Sequence, residues 1–226
     1  MRGLFVTGTD TGVGKTVIAV TLLQSLAAAG VRCVGMKPVA AGFDADGVNA
    51  DVRALNGAGN VRASLRECNP FAFADAVAPH LAAEAAGASI DLSTIGAAAG
   101  RLARKADVLI VEGAGGALVP LDARDDMLDI AVMLGLPVLL VVGMRLGCLN
   151  HALLSALAIR RRGLELRGWI ANRLPPPMPF AESNERTLAG RLGAAVACID
   201  SPTPARFNPD VLDKLGLMGG GAFDPC

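Results

Sequence analysis

Lys15 and Thr16 close the stretch Gly8-Thr9-Asp10-Thr11-Gly12-Val13-Gly14-Lys15-Thr16, an order of residue types suited to binding a polyphosphate. Glycines let backbone N–H groups converge on phosphate oxygens without Cβ clashes. A lysine at the end of such a loop reaches the β- and γ-phosphates, and the hydroxyl after it is a ligand for a bridging Mg²⁺. Five residues separate Gly8 from Gly14, one more than the usual spacing, so the match is a variant. Its context supplies what the mechanism requires. The apolar run Leu4-Phe5-Val6 reads as a buried strand before the loop, and Val17 to Leu23 as a helix behind it, whose dipole adds positive potential at the phosphates.

Further polar residues stand where apolar strands end. Arg32 to Lys37 is the second predicted strand, stopped by Pro38, which lacks a ladder donor and holds Lys37 extended. A lysine at the C-terminal end of a parallel strand points into the crevice where α/β ligands bind; a solvated strand-end lysine is the open alternative. As a strand-end side chain, Lys37 is expected to contribute little burial, so that Lys37→Ala folds normally. Val108-Leu109-Ile110-Val111 is the run of a strand buried on both faces, and it delivers Glu112-Gly113-Ala114-Gly115-Gly116 to the same edge. A carboxylate there is costly unless paired or near a metal, with a solvated strand-end glutamate as the open alternative. Asp51 opens a short helix after the glycine- and alanine-rich loop 40–50, either as an ordinary helix cap or as a metal-linked carboxylate partnered from elsewhere.

The elements that position these residues alternate. A helix over Lys15 to Ala29 stops at Gly30; residues 61–80 read as irregular; a helix covers Leu92 to Ala106. Pro137 to Gly143 is a buried strand that empties into Met144-Arg145-Leu146-Gly147-Cys148-Leu149-Asn150-His151, with Asn150 a possible cap for the helix ending near Arg162. Leu166 to Ala171 is a strand ending at Asn172, Glu182 to Leu192 a helix and Ala195 to Ile199 a last strand. This pattern implies a single-domain, doubly wound α/β fold over residues 1–226: a mostly parallel sheet with helices on both faces, of the P-loop NTPase type, with 207–226 a peripheral or frayed tail. Right-handed crossovers gather the phosphate loop, Lys37, Glu112, the 143–150 loop and Asn172 at one edge.

Composition narrows the partners. Lys plus Arg and Asp plus Glu number 21 each in 226 residues, so no net field draws nucleic acid or an anionic membrane, and a small charged substrate is the natural ligand. No apolar run is long enough to span a bilayer and the chain enters a strand by Leu4, which points to the cytoplasm. The five cysteines are scattered and show no CxxC spacing, so reduced thiols are expected rather than a disulfide framework or a zinc site.

Five blocks in order, Thr7-Gly8-Thr9-Asp10-Thr11 with Val13-Gly14-Lys15-Thr16, Lys37-Pro38-Val39-Ala40, Val111-Glu112-Gly113-Ala114-Gly115-Gly116, Leu146-Gly147-Cys148-Leu149-Asn150-His151 and Trp169-Ile170-Ala171-Asn172, resemble the dethiobiotin synthetases. The resemblance implies ATP- and Mg²⁺-dependent closure of a ureido ring from 7,8-diaminononanoate and CO₂, in a homodimer of the biotin pathway. It places metal ligands on Thr16, Asp51 and Glu112, and catalytic lysines on Lys15 and Lys37. Nucleotide contacts fall on Gly12, Val13, Gly14, Lys15, Thr16, Val17, Asp51, Glu112, Gly113, Ala114, Gly115, Asn172 and Arg173, with Asn172 at the adenine. Substrate contacts fall on Thr11, Lys37, Ala41, Leu146, Gly147, Cys148, Leu149 and Asn150, the last four gripping the substrate carboxylate across a dimer interface.

The sequence departs from that family at four places. Ala41 stands where many relatives carry serine, Arg145 where lysine is common, Arg173 where aspartate follows the asparagine, and Asp200 where proline ends the strand. Two rival readings share the fold. A partition or septum-positioning ATPase switch carries a second lysine five residues before the catalytic one, where this chain has Asp10. A carboxylate-activating synthetase of the cobyrinic acid amidating group carries a glutaminase domain for which 226 residues leave no room.

Overall fold

The computed structural model describes residues 2–44, 46–200 and 206–218. Six strands form one parallel sheet in the order β2-β5-β1-β6-β7-β8: β1 (Arg2–Gly8), β2 (Cys33–Met36), β5 (Val108–Glu112), β6 (Val138–Met144), β7 (Leu166–Arg173) and β8 (Ala197–Asp200). The sheet is two-faced, and successive residues of one strand serve opposite layers. In β1, Phe5 packs with Ile95, Leu102 and Leu128 of helices α5 (Leu92–Ala103) and α6 (Met127–Leu134), whereas Leu4 and Val6 pack with Ile18 and Leu22 of α1 (Lys15–Ala28) and Leu55 of α2 (Ala50–Ala58). On β6 and β7, Leu140, Val142 and Trp169 bury against α7 (Cys148–Arg161) and α8 (Ala181–Leu192). Strands covered on both sides explain the uninterrupted apolar runs.

Several boundaries differ from the sequence expectation, for local reasons. Residues 61–80 are not irregular: α3 (Leu65–Cys68) carries a capping box from Ser64 and Glu67, β4 (Phe71–Phe73) pairs in parallel with β3 (Val39–Ala41), and α4 (Pro79–Ala85) begins on a proline. Asp51 does not cap α2; Asn49 does, with its side chain accepting from Asp51 N and Val52 N, while Asp51 lies in the first turn. Asn150 does not cap α7; Gly147 does, at φ +96°, a value that favours glycine. The tail from 207 is not peripheral where it is described. Leu212, Leu215 and Leu217 around α9 (Pro209–Lys214) are buried, and Phe207 N donates to Ser25 Oγ at 3.1 Å. The glycine run Gly219 to Gly221 lies outside the described residues.

Candidate active site

Register brings the charged residues together. Met36 pairs with Val111 and Val6 pairs with Glu112 across the parallel ladders, so the residue that follows β2, Lys37, emerges beside Glu112, and the loop that follows β1 lies on the other side. Lys37 Nζ donates to Glu112 Oε1 at 2.6 Å and to Asp51 Oδ2 at 2.7 Å. Thr16 Oγ1 donates to the same Glu112 oxygen at 2.7 Å. Glu112 is fully buried and Lys37 is 5% exposed, so Lys37 is not a solvated strand-end lysine and its burial is not small.

Electrostatics follow from this packing. Burial works against the Lys37 charge, yet the Glu112 and Asp51 carboxylates outweigh it and hold the ammonium above the usual lysine range. Burial pushes the Glu112 carboxyl up, against the pull of Lys37. Burial also opposes the Asp51 charge, but Lys37 and Thr16 bring that carboxyl below its ordinary value. Among the described residues Lys15 has no carboxylate in direct contact: its Nζ donates to the Asp10 carbonyl at 2.9 Å, and burial lowers it to about 8, with Glu112 opposing.

The phosphate loop is held from below. Asn172 Nδ2, fully buried at the end of β7, donates to Val13 O at 2.8 Å. Gly14 lies at φ +90°, and a Cβ there would collide with that same amide nitrogen, so only glycine fits between loop and strut. No side chain caps α1 and its first turn holds no acidic residue, which leaves its N–H groups for an anion. On the loop's outer side, Asp10 pairs with Arg145.

Two cavities adjoin at Leu174. The larger, about 830 Å³, is lined by Thr11, Gly12, Gly14, Lys15, Thr16, Val17, Lys37, Ala41, Asp51, Glu112, Ala114 and Gly115, all anticipated, and by Asn49, Ala76, Val77, Ala78, Pro79 and Val119, which were not. The smaller, about 610 Å³, is walled by Met144, Leu174, Pro175, Pro177, Met178 and Phe180, with Arg173, Glu182 and Asp200 among its polar groups. Arg173 is held there by Glu185 at 2.8 and 3.0 Å. Val13 and Gly113 are buried beneath the surface of the site. Leu146, Gly147, Cys148, Leu149 and Asn150 line neither cavity; they form the turn and first residues of α7, with Leu146 at 94% exposure and Cys148 buried. The unanticipated wall at 76–79 is a short apolar loop running into the first residue of α4, without periodicity, and Asn49 was hidden by Asp51 two residues on.

Thr16, Asp51 and Glu112 offer only oxygen donors, the set that suits a small hard dication. Glu112 Oε2 is buried and has no hydrogen-bond partner among the described residues, which fits a ligand oxygen. No cluster of three or more His, Cys, Asp or Glu side chains occurs among the described residues, so the seat rests on two carboxylates and a hydroxyl.

Residues 2–202 match the AAA domain family. Solved structures with a similar fold include the septum site-determining protein MinD of Pyrococcus horikoshii, complexed with Mg-ADP (TM-score 0.52, 14% identity, 95% of this chain and 84% of that one). Another is a ParA family ATPase from Chlorobium tepidum (TM-score 0.54, 14% identity, 95% of this chain and 88% of that one). At that identity the two share a fold and carry nothing about the reaction. The sequence is also 51% identical over 217 residues to the ATP-dependent dethiobiotin synthetase BioD of Nitrosospira multiformis, a match that covers 96% of this chain and 94% of that protein. Likeness of that degree, held across nearly the full length of both, is decisive: the chain belongs to the AAA domain family and, within it, to the ATP-dependent dethiobiotin synthetases.

Proposed function

We propose that this chain closes the ureido ring of dethiobiotin from 7,8-diaminononanoate, CO₂ and ATP. One amine of the diamine takes up CO₂ as a carbamate, a carbamate oxygen attacks the γ-phosphate and ADP leaves, and the second amine attacks the carbonyl carbon as phosphate departs. Negative charge builds up at the carbamate and the phosphoryl group throughout, and the observation that carries the reading is that Lys15 and Lys37 line one cavity with Asp51, Glu112 and Thr16. Preorganised cations of this kind stabilise developing anions where water is excluded. Thr16, Asp51 and Glu112 would hold Mg²⁺, which when bound neutralises charge on the triphosphate.

The triphosphate belongs on the phosphate loop and the N-terminus of α1. The adjoining cavity, with apolar walls and the exposed ring of Phe180, suits the base; Asn172, fully buried and lining neither cavity, serves the nucleotide by holding Val13 rather than by touching adenine. Thr11 and Ala41 wall the diamine end of the larger cavity. The substrate carboxylate lies at the far end of an apolar chain, beyond reach of the loop, and the Leu146 to Asn150 turn would receive it from a second subunit. Support for that homodimer comes from α7, where Asn150, Leu154 and Leu157 share a face and Leu154 and Leu157 are 56% and 52% exposed. The cytoplasm is the compartment proposed, in keeping with unpaired thiols at Cys33, Cys68, Cys148 and Cys198.

Turnover with ¹⁸O-labelled bicarbonate tests the reaction. Dethiobiotin should form with one labelled oxygen passed to phosphate, because the carbamate oxygen leaves with it. ATP hydrolysis without label transfer or product would instead favour a nucleotide switch.

A further inference from the structure

Asn49 uses both ends of its amide. Oδ1 accepts from Asp51 N at 3.0 Å and from Val52 N at 3.4 Å, which caps α2. Nδ2 donates to Gly42 O at 2.8 Å and to Ala41 O at 3.3 Å, at the end of β3. A cap alone requires only an acceptor, and serine or aspartate supplies one equally well. An amide adds two N–H donors on the same group, and here both reach the neighbouring loop.

The two segments it joins both line the larger cavity. Ala41 belongs to one, and Asp51, paired with Lys37, to the other. Asp51 has a side chain 41% exposed, so little packing fixes it beyond Lys37, Thr16 and the first turn of α2. The Ala41–Gly42 end is tied to β4 through Gly42 N on Phe73 O at 3.0 Å, and on its other side to Asn49.

We propose that Asn49 is a positioning residue for the reaction: it clasps the Ala41–Gly42 wall to the first turn of α2, and so sets the distance between the diamine wall and the Asp51 carboxylate. It touches neither reacting atoms nor metal, and its amide has no donor left for substrate. The inference rests on the proposed roles of Ala41 and Asp51.

Asn49→Ser separates clasp from cap, because the hydroxyl still accepts from α2 but reaches neither carbonyl, and no charge is introduced beside Asp51. The expected Tm stays within about 3 °C of the parent, since the cap survives. The diamine KM and the Mg²⁺ concentration for half-maximal activity should each rise about tenfold, the scale of effect that a small misplacement has on a preorganised site. Amide hydrogen exchange of residues 41–44, measured on the nucleotide-free protein, should accelerate. This last measurement judges the clasp even if the parent fails to turn over the diamine, an outcome that would overturn the functional reading instead. Asn49→Thr, a second uncharged cap, should repeat the kinetic loss and decides the matter if the serine variant is unstable. Parent-like kinetics and exchange in either folded variant overturn the proposal, as does loss of stability without a selective rise in the two constants.

Discussion

Lys37 Nζ and Glu112 Oε1 are 2.6 Å apart, with Glu112 fully buried and the lysine between it and Asp51. The ammonium therefore draws on the same two carboxylates as the seat proposed for Mg²⁺, while Glu112 Oε2 keeps no hydrogen-bond partner among the described residues. A dication seated there would compete with the lysine for Glu112 and Asp51.

Replacing Lys37 should thus do more than remove the charge proposed to act on the anions. Lys37→Ala leaves Glu112 buried beside Asp51 without a cation, and losing one partner of a buried pair costs about 3–5 kcal/mol. The raised Glu112 carboxyl rises further, so the folded variant takes up a proton there more readily than the unfolded chain, and stability recovers as pH is lowered from neutral. Mn²⁺ without nucleotide should stabilise the variant more than the parent. Thermal melts at two pH values, with and without Mn²⁺, check this; a parent-like melt at neutral pH and indifference to Mn²⁺ would sink the competition.

Lys15 sets a pH limit on nucleotide binding. Its folded value of about 8 lies below the ordinary 10.5, so between these values the unfolded chain keeps a proton that the folded one has lost, and this residue's contribution to stability rises with pH. Triphosphate restores the charge. ATP affinity should weaken above about pH 8, and at higher pH binding should take up a proton. Calorimetry in buffers of different ionisation enthalpy measures that uptake, and none at pH 9, about one unit above this value, would rule out a neutral Lys15.

Asn172→Ala removes the strut beneath the phosphate loop. Val13 O loses a buried donor, a loss worth about 1–3 kcal/mol. Nucleotide affinity should fall about tenfold or more by the same estimate, while the KM for diamine at saturating ATP stays near the parent value. Titration with a fluorescent ATP analogue reads the first quantity and steady-state kinetics the second; equal losses in both would mean that Asn172 supports the whole site.

Composite sites can be detected by mixing inactive proteins. Lys37→Gln keeps an amide against the carboxylates but removes the charge, and Asn150→Trp blocks the turn without straining Gly147. If each site draws these residues from different chains, random exchange into heterodimers restores one working site in each mixed pair, about a quarter of parental activity. Activity that stays at background after verified exchange would place both elements in one chain.

The sequence revealed most where one force decided the outcome. Runs buried on both faces announced β5 and β6, and glycines beside Lys15 announced the phosphate loop, because sterics there leave few options. The β3–β4 pair stayed hidden: each strand has three residues, and their pairing depends on a distant partner rather than on any local pattern. Asp51 read as the cap of α2, and only the structure moves that role two residues back to Asn49, whose backbone lies at φ −68° and ψ 135°. Likewise, nothing in Lys37-Pro38 tells that the ammonium is sealed between carboxylates 14 and 75 residues away.

The position of β1 between β5 and β6 has a consequence for biogenesis. The central strand is synthesised first, yet its partners begin at Val108 and Val138. At about 5–20 residues per second, β1 emerges roughly 5–20 s before β5 exists to pair with it. During that interval Leu4, Phe5 and Val6 have neither ladder nor lid, and the nascent chain presents an unpaired apolar edge of the kind chaperones engage. The Lys37–Glu112 contact spans β2 and β5, so it cannot form until that wait ends. The recovery of activity on refolding is therefore also a clock for the docking of β2, β5 and β1, the long-range step on which completion of the sheet depends.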